Sequence, residues 1–413
     1  MTQTSCTPTL DELLGYEAAV ERLVAAAKPV ARTQVVGLRE ALGRVLAEPV
    51  ISSFDVPGWD YSAMDGYAVR TAECAVPGDG LRVSQRIPAG TVPPPLEQGS
   101  AARIFTGAPI PAGADAVVMQ EVCTAQGDSV RVEVPVAPGE NIRRRGEDVR
   151  AGAELIPAGT RLQPQHIGLA ASLGVAELSV VQGPRVALFA SGDELVMPGD
   201  PLPPGKIYNS NLFTASGLLR ALGCEVIELG IVEDSLAATQ AALAAGAAQA
   251  DLVLASGGVS VGEEDHVKPA VEALGSLDMW RIAIRPGKPV AFGHVDGTPF
   301  IGSPGNPVSM FVTFLLFVRP FLLRMQGRSD WQLQPLRAVA DFEWPKPDKR
   351  REFQRARLAH DADGVPRVTV HPSRSSGVLS SVTWANGLVV IPEGRKLQRG
   401  DTVAFLPFCE LLT

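Results

Sequence analysis

Three short segments rich in small polar residues could cradle an anion: Ser191-Gly-Asp-Glu194, Ser256-Gly-Gly-Val-Ser-Val-Gly262 and Ser303-Pro-Gly-Asn-Pro307. Glycine lets backbone approach a ligand closely, and free N–H groups at the start of a helix favour negative charge. Ser191, Gly192, Gly257, Gly258, Ser260, Pro304, Gly305 and Asn306 are the candidate anion-binding residues of these loops. Each loop alone also reads as a tight turn. No Gly-Lys-Ser/Thr follows any of them and no Gly-x-Gly-x-x-Gly follows a strand, which removes Walker-type ATPase and dinucleotide readings.

Cations come from Trp280-Arg-Ile-Ala-Ile-Arg-Pro-Gly-Lys288. If 281–285 is extended, period two puts Arg281 and Arg285 on one face, and Lys288 falls beside the same edge. A solvated surface strand is the alternative. Arginine suits bidentate phosphate recognition, and lysine supplies a point charge. The acidic half is Asp65, Asp148, Asp234 and Asp265. Carboxylates beside a phosphate site make sense if Mg²⁺ is held there through a few carboxylates, waters and substrate phosphates, so these four are the candidate metal ligands. Singly, Asp65 reads as a turn former and Asp234 as a helix cap, and the run Arg143 to Arg145 as a solvated face. The five histidines are scattered without metal or triad spacing.

The elements that must position these residues follow from periodicity. Thr9 and Glu12 form a capping box for a helix through about Ala27, and a second helix is expected near Leu38 to Leu46. From Ile51 to about Leu155, short β-type segments are punctuated by proline and glycine, which predicts a small β-rich domain. From Arg185 to about Met325, apolar strands alternate with helices and imply a mostly parallel sheet covered on both faces. In such a sheet ligands bind beyond the carboxyl ends of the strands, so all three polar loops belong at one edge. After about Leu336 the helices stop and alternating strands suggest a small β-barrel.

At about 150 residues per domain, 413 residues imply roughly three domains. The balance of 37 basic against 45 acidic residues, a net charge of −8, excludes a general nucleic-acid coat. Five dispersed cysteines indicate neither a disulfide framework nor a zinc site. Residues 1–14 lack the basic and apolar regions of a signal peptide. The longest apolar run, near Met310 to Val318, stops at Arg319-Pro320, well short of a bilayer span. These features predict a cytoplasmic chain with no nucleic-acid or membrane partner. The residues alone do not name the substrate.

Ser62-Ala-Met-Asp-Gly-Tyr-Ala68, Phe105-Thr-Gly-Ala-Pro-Ile-Pro111, Asn141-Ile-Arg-Arg-Arg-Gly-Glu-Asp148, Ser191-Gly-Asp-Glu-Leu195, Ser256-Gly-Gly-Val-Ser-Val-Gly262 and Pro304-Gly-Asn-Pro-Val-Ser309, in this order, resemble the molybdopterin molybdenumtransferase family (MoeA/gephyrin E-domain type). The resemblance implies a multidomain α/β plus β fold in four parts: a composite N-terminal region (1–50 and 147–184), an inserted β-rich domain (51–146), a three-layer molybdopterin-binding α/β domain (185–330) and a C-terminal β-barrel (331–413). It also implies a homodimer whose active site lies between the α/β domain of one subunit and the inserted domain of the other. The implied reaction inserts molybdenum from molybdate into adenylylated molybdopterin with Mg²⁺, releasing AMP and molybdenum cofactor. Carried over by motif, Asp65, Thr106, Asp148, Glu194, Asp234 and Asp265 match positions implicated in activity, and Arg143 matches an arginine of the same set. Arg281 and Arg285 stand where relatives often carry lysine. The molybdopterin adenylyltransferase and molybdoenzyme acceptors are the implied protein partners. Two other readings are the adenylyltransferase itself, which shares the α/β domain but not the flanking domains, and a non-enzymatic scaffold, which does not call for the carboxylate set.

Overall fold

The computed structural model describes residues 13–74, 80–258, 266–287 and 289–412. The chain divides into two units: one gathers the chain up to Ala47, Ala158–Gln163 and Leu178 onward, the other Glu48–Pro157 and Pro164–Glu177. Ser260, Asp265 and Lys288 lie outside the described residues, as does the Thr9/Glu12 capping box.

In the first unit, strands Glu225–Val232, Arg185–Ser191, Leu252–Ser256 and Thr298–Ser303 pair in that order, all parallel. Pro289–Val295 and Gly275–Arg281 extend the sheet antiparallel at one edge. The near-continuous apolar run in Arg185–Ser191 is explained by burial on both faces. Val186, Leu188 and Ala190 pack into one core, while Ala187 and Phe189 pack into another on the opposite face. Helix Asn211–Ala221 places Leu212, Ala215 and Leu219 in the first core. Helix Leu236–Gln249 places Leu243 in the second. The result is the three-layer, mostly parallel arrangement expected.

The helix that begins at Pro307 continues through Arg319-Pro320 to Met325, 19 residues in all, and is buried. Phe314–Val318 is a π-helical turn, in which the Arg319 N–H reaches back to Phe314 O. That wider turn makes room for the ring of Pro320, which an α-turn would drive against the carbonyl four residues earlier. By length and composition this helix could cross a membrane, but its apolar side chains from Val308 to Met325 sit in the main core instead.

The expected helix near Leu38 to Leu46 is absent. Strand Thr33–Gly37 is followed by turns, with Gly43 at φ +77°, and then strand Val45–Leu46. Too few residues lie between Gly37 and Gly43 for a helix to repay its nucleation. Val45 and Leu46 bury themselves by pairing with Glu177–Val181, leaving Leu42 56% exposed. The N-terminal helix spans Tyr16–Ala26.

The barrel closes in the order Arg351–His360, Pro366–Val370, Leu336–Ala340, Thr402–Pro407, Gly387–Ile391 and back to Arg351–His360. Closure removes open strand edges. Two short helices, Ser380–Trp384 and Phe408–Leu411, interrupt a region the sequence read as strands alone. Phe353, Leu388 and Leu406 point out of the barrel into the main core of the α/β layer.

The second unit is β-rich, as expected. Its main sheet has the order Ala116–Met119, Gly66–Val69, Ser100–Ile104, Gly80–Ile87, Ser129–Val132, Cys123–Gln126. Tyr67 and Val69 join one core and Ala68 the other, so this sheet too is covered on both faces.

Candidate functional site

A cavity of about 1010 Å³ opens at the carboxyl edge of the parallel strands. It is lined by Ser191, Gly192 and Glu194 at the end of strand Arg185–Ser191, Gly257 and Gly258 after Leu252–Ser256, and Pro304, Gly305 and Asn306 after Thr298–Ser303. The loops touch through backbone. Gly257 N–H donates to Ser303 O at 3.0 Å, and a Cβ built on Gly305 would lie 3.7 Å from Gly257 Cα. Gly257 itself has φ +92°, and a Cβ there would meet Ser191 O at 2.6 Å, so no other residue fits. The parallel topology thus brings the three predicted loops together.

Asn211, at the start of its helix, locks them: its Nδ2 donates to Ser256 Oγ at 2.9 Å and to Gly305 O at 2.7 Å. Sequence reasoning missed Asn211, which looks like any helix-start asparagine until the neighbouring strands are placed.

Asp234 lines the same cavity, with the Ser191 hydroxyl donating to its Oδ1 at 3.3 Å. It is not the helix cap. Ser235 is, its hydroxyl accepting from Ala238 N–H, so the structural explanation for Asp234 falls away.

The two predicted arginines separate. Arg281 ends the strand Gly275–Arg281 of the α/β sheet, Ile282 bridges to Leu14, and Ile284–Arg285 pairs with Arg351-Glu352 of the barrel. The segment changes sheets between them, so period two does not carry across it. Arg285 lines the cavity; Arg281 is not among its described lining residues.

The barrel supplies the rest of the cationic wall: Arg350 and Arg374, with Ser375 and Ser376. Sequence reasoning missed all four: Arg350 stands in a basic run before a β-segment, which reads as surface, and Arg374, Ser375 and Ser376 stand in a serine-rich stretch that reads as a turn. Arg285 and Arg350 share Asp348, at 3.3 and 2.8 Å. The Arg350 guanidinium, with its backbone N–H, holds the Asp348 carboxyl far below the ordinary carboxylate range. Three guanidinium groups face the cavity against two carboxylates, Asp348 shared by two of them and Glu352 paired with Arg374, which leaves net positive charge on the wall.

The remaining predicted residues lie in the second unit. Asp65 sits in the turn between Tyr61–Ser62 and Gly66–Val69, shaped by the Ser62 hydroxyl donating to Met64 O at 2.6 Å. Its Oδ1 accepts from both the N–H and the hydroxyl of Thr106 at 2.8 Å each, which lowers the carboxyl below its usual range. Two residues 41 positions apart are therefore joined. Arg103, whose guanidinium stacks on Phe105 at 4.6 Å, donates to Gly66 O at 2.8 Å and steadies the same turn. Arg143 pairs in strand with Tyr61 and reaches Glu147 at 3.6 Å. Arg144 and Arg145 pair with Asp60 and Asp55. Asp148 is exposed, its N–H donating to Val56 O.

The family models that match are the MoeA N-terminal region (domain I and II) over residues 14–174, a probable molybdopterin binding domain over 187–324 and the MoeA C-terminal region (domain IV) over 337–408. A molybdopterin molybdenumtransferase of Haemophilus influenzae is 41% identical over 389 residues, covering 92% of this chain and 95% of the relative. The chain belongs to the molybdopterin molybdenumtransferase family. Within that family, molybdopterin molybdenumtransferase 2 of Mycobacterium tuberculosis is 39% identical over 90% of this chain and 94% of its own. The crystal structure of a molybdopterin biosynthesis MoeA protein from Pyrococcus horikoshii matches at TM-score 0.83 and 32% identity, over 96% of this chain and all of that one. The family's domain models thus fall on the β-rich segment, the α/β layer and the barrel in turn.

Proposed function

We propose that this chain is the transferase that inserts molybdenum from molybdate into adenylylated molybdopterin, releasing AMP and molybdenum cofactor. The observation that carries the reading is the composition of the cavity: backbone loops at a parallel-sheet edge opposite a wall of Arg285, Arg350 and Arg374. Both substrates are anions, and a cavity of about 1010 Å³ has room for a pterin joined to a nucleotide. Gly257, Gly258 and Gly305 allow backbone to approach the phosphoanhydride, and the arginines hold oxyanions in forked geometry. Asp234 and Glu194 present hard oxygen donors in the same cavity, the donor type Mg²⁺ prefers alongside substrate phosphates. Bound there, Mg²⁺ would neutralise charge on the phosphoanhydride and on the departing AMP. Asp265 is proposed to join them.

We further propose that the enzyme works as a cytoplasmic homodimer. Asp65, Thr106, Arg143 and Asp148 then come from the partner subunit, with Asp65 and Asp148 as further metal ligands. Reduced thiols at Cys74, Cys123 and Cys224 suit a reducing compartment. The molybdopterin adenylyltransferase and molybdoenzymes are the proposed protein partners upstream and downstream. The test is AMP release from adenylylated molybdopterin with and without molybdate, across a Mg²⁺ titration. Release that needs neither molybdate nor Mg²⁺ would refute the reading. A monomer by sedimentation that retains full activity would refute the shared site.

A further inference from the structure

The cationic wall rests on polar groups buried behind it. Glu352 is 0% exposed. Its Oε1 accepts from Trp344 Nε1 at 2.9 Å and from the Asp348 N–H at 3.4 Å. Its Oε2 accepts from Gln354 Nε2 at 3.0 Å and from Arg374 at 2.8 Å. The Arg374 guanidinium also lies 4.2 Å over the Trp344 ring. One face of the arginine is thus packed, and one of its nitrogens is tied from behind. The network continues through Gln354, whose Oε1 accepts from Arg355 at 3.0 Å. Arg355, 1% exposed, donates to Ser373 O at 2.7 Å, Ser375 O at 3.1 Å and Ser381 Oγ at 3.0 Å. The Arg374 side chain and the Ser373 and Ser375 carbonyls are therefore held by two buried charges from one strand.

A buried carboxylate seldom adds stability over an apolar side chain, so its presence calls for another explanation. Its charge also works against anion binding, because it offsets the arginine that faces the cavity. Orientation is what it can offer: a long, partly exposed arginine, 35% by side chain, otherwise samples many rotamers. We infer that Glu352 is a positioning residue for the oxyanion wall, acting through Arg374, with Arg355 holding the backbone on either side of Arg374, at Ser373 and Ser375, in register. The inference rests on the reading of this cavity as an anion site.

The two possible effects of Glu352 have opposite signs, which makes the test decisive. Molybdate alone is titrated calorimetrically into the full-length protein. Glu352→Gln removes a negative charge yet is expected to weaken molybdate binding about tenfold. In turnover, the same change should appear in KM for molybdate rather than in kcat. Arg374→Ala should weaken binding comparably, and the double variant should lose little more than either single one, because both break the same link. Unchanged or tighter binding in a folded Glu352→Gln protein overturns the inference, and so does full additivity. If that variant does not fold, Trp344→Phe takes one donor from Glu352 without altering any charge. It is expected to weaken binding several-fold, and unchanged affinity there is equally fatal. Arg285→Ala separates the two levels. Weaker binding in Arg285→Ala with none in Glu352→Gln overturns only the positioning role, whereas no binding by the wild type overturns the anion reading and this inference together.

Discussion

Arg285→Ala is the most direct probe of the cationic wall. Arg285 is 38% exposed by side chain and reaches Asp348 at 3.3 Å. Asp348 keeps a closer partner in Arg350, with contacts of 2.8 and 3.0 Å, so losing Arg285 does not strand a carboxylate. The folding cost should therefore be that of a partly exposed ion pair, under about 1 kcal/mol. A hydrogen bond to a charged group is worth about 1.5–3 kcal/mol. Partial solvent exposure and competition from Asp348 pull the expected loss for a bound oxyanion to about 1–2 kcal/mol, or roughly five- to thirty-fold in Kd. Titration of molybdate and of adenylylated molybdopterin into the variant measures this directly, with a thermal melt to confirm the fold. Arg285→Lys should lose less, keeping a point charge without the fork. Arg281→Ala is the comparison: it removes the same charge from the end of a different strand, and a smaller loss is expected. Wild-type affinity for both ligands in Arg285→Ala would refute the assignment.

Asp234→Asn should leave the folding stability within about 0.5 kcal/mol of wild type while abolishing most molybdenum-dependent AMP release. Ser235→Ala, which removes the true cap, should instead destabilise by about 1 kcal/mol; equal activity of Asp234→Asn across a Mg²⁺ titration would argue against its role. Gly257→Ala forces a Cβ to 2.6 Å from Ser191 O at φ +92° and should destabilise by about 1–3 kcal/mol, measurable by denaturant titration. A fully stable variant would show that the loops do not meet as described. Asp348 has its carboxyl depressed by Arg350, so its contribution is complete above the unfolded value of about 3.9 and disappears as the pH falls toward the folded one. Melts of Asp348→Asn against wild type should differ most near neutrality and converge below about pH 4; a constant gap would contradict the sign.

Much of the α/β layer could be read directly from the chain. The run Val186 to Ala190 is apolar at every position, and only a strand buried on both faces suits that. The three polar loops followed, because parallel strands send all their carboxyl ends to one edge. The motifs carried Asp65 and Thr106 individually, but their hydrogen bond spans 41 positions and depends on how the inserted sheet closes. Local patterns misled where long-range packing intervened. Leu38 to Leu46 has helical spacing, yet Val45 and Leu46 gain more from a strand partner at Glu177–Val181. The same applies to the cationic wall. Residue type singled out Arg285, and period two set it on one face with Arg281. That placement assumed one strand where the chain changes sheets. Arg350, Arg374 and the buried Glu352 carry no local signal: the first and last stand in a charged run that looks like solvated surface, and Arg374 stands among serines that read as a turn. What turns them toward the cavity is the closure of a barrel whose outer face packs on the α/β core. That closure follows from contacts between residues far apart in the chain, which no local periodicity encodes.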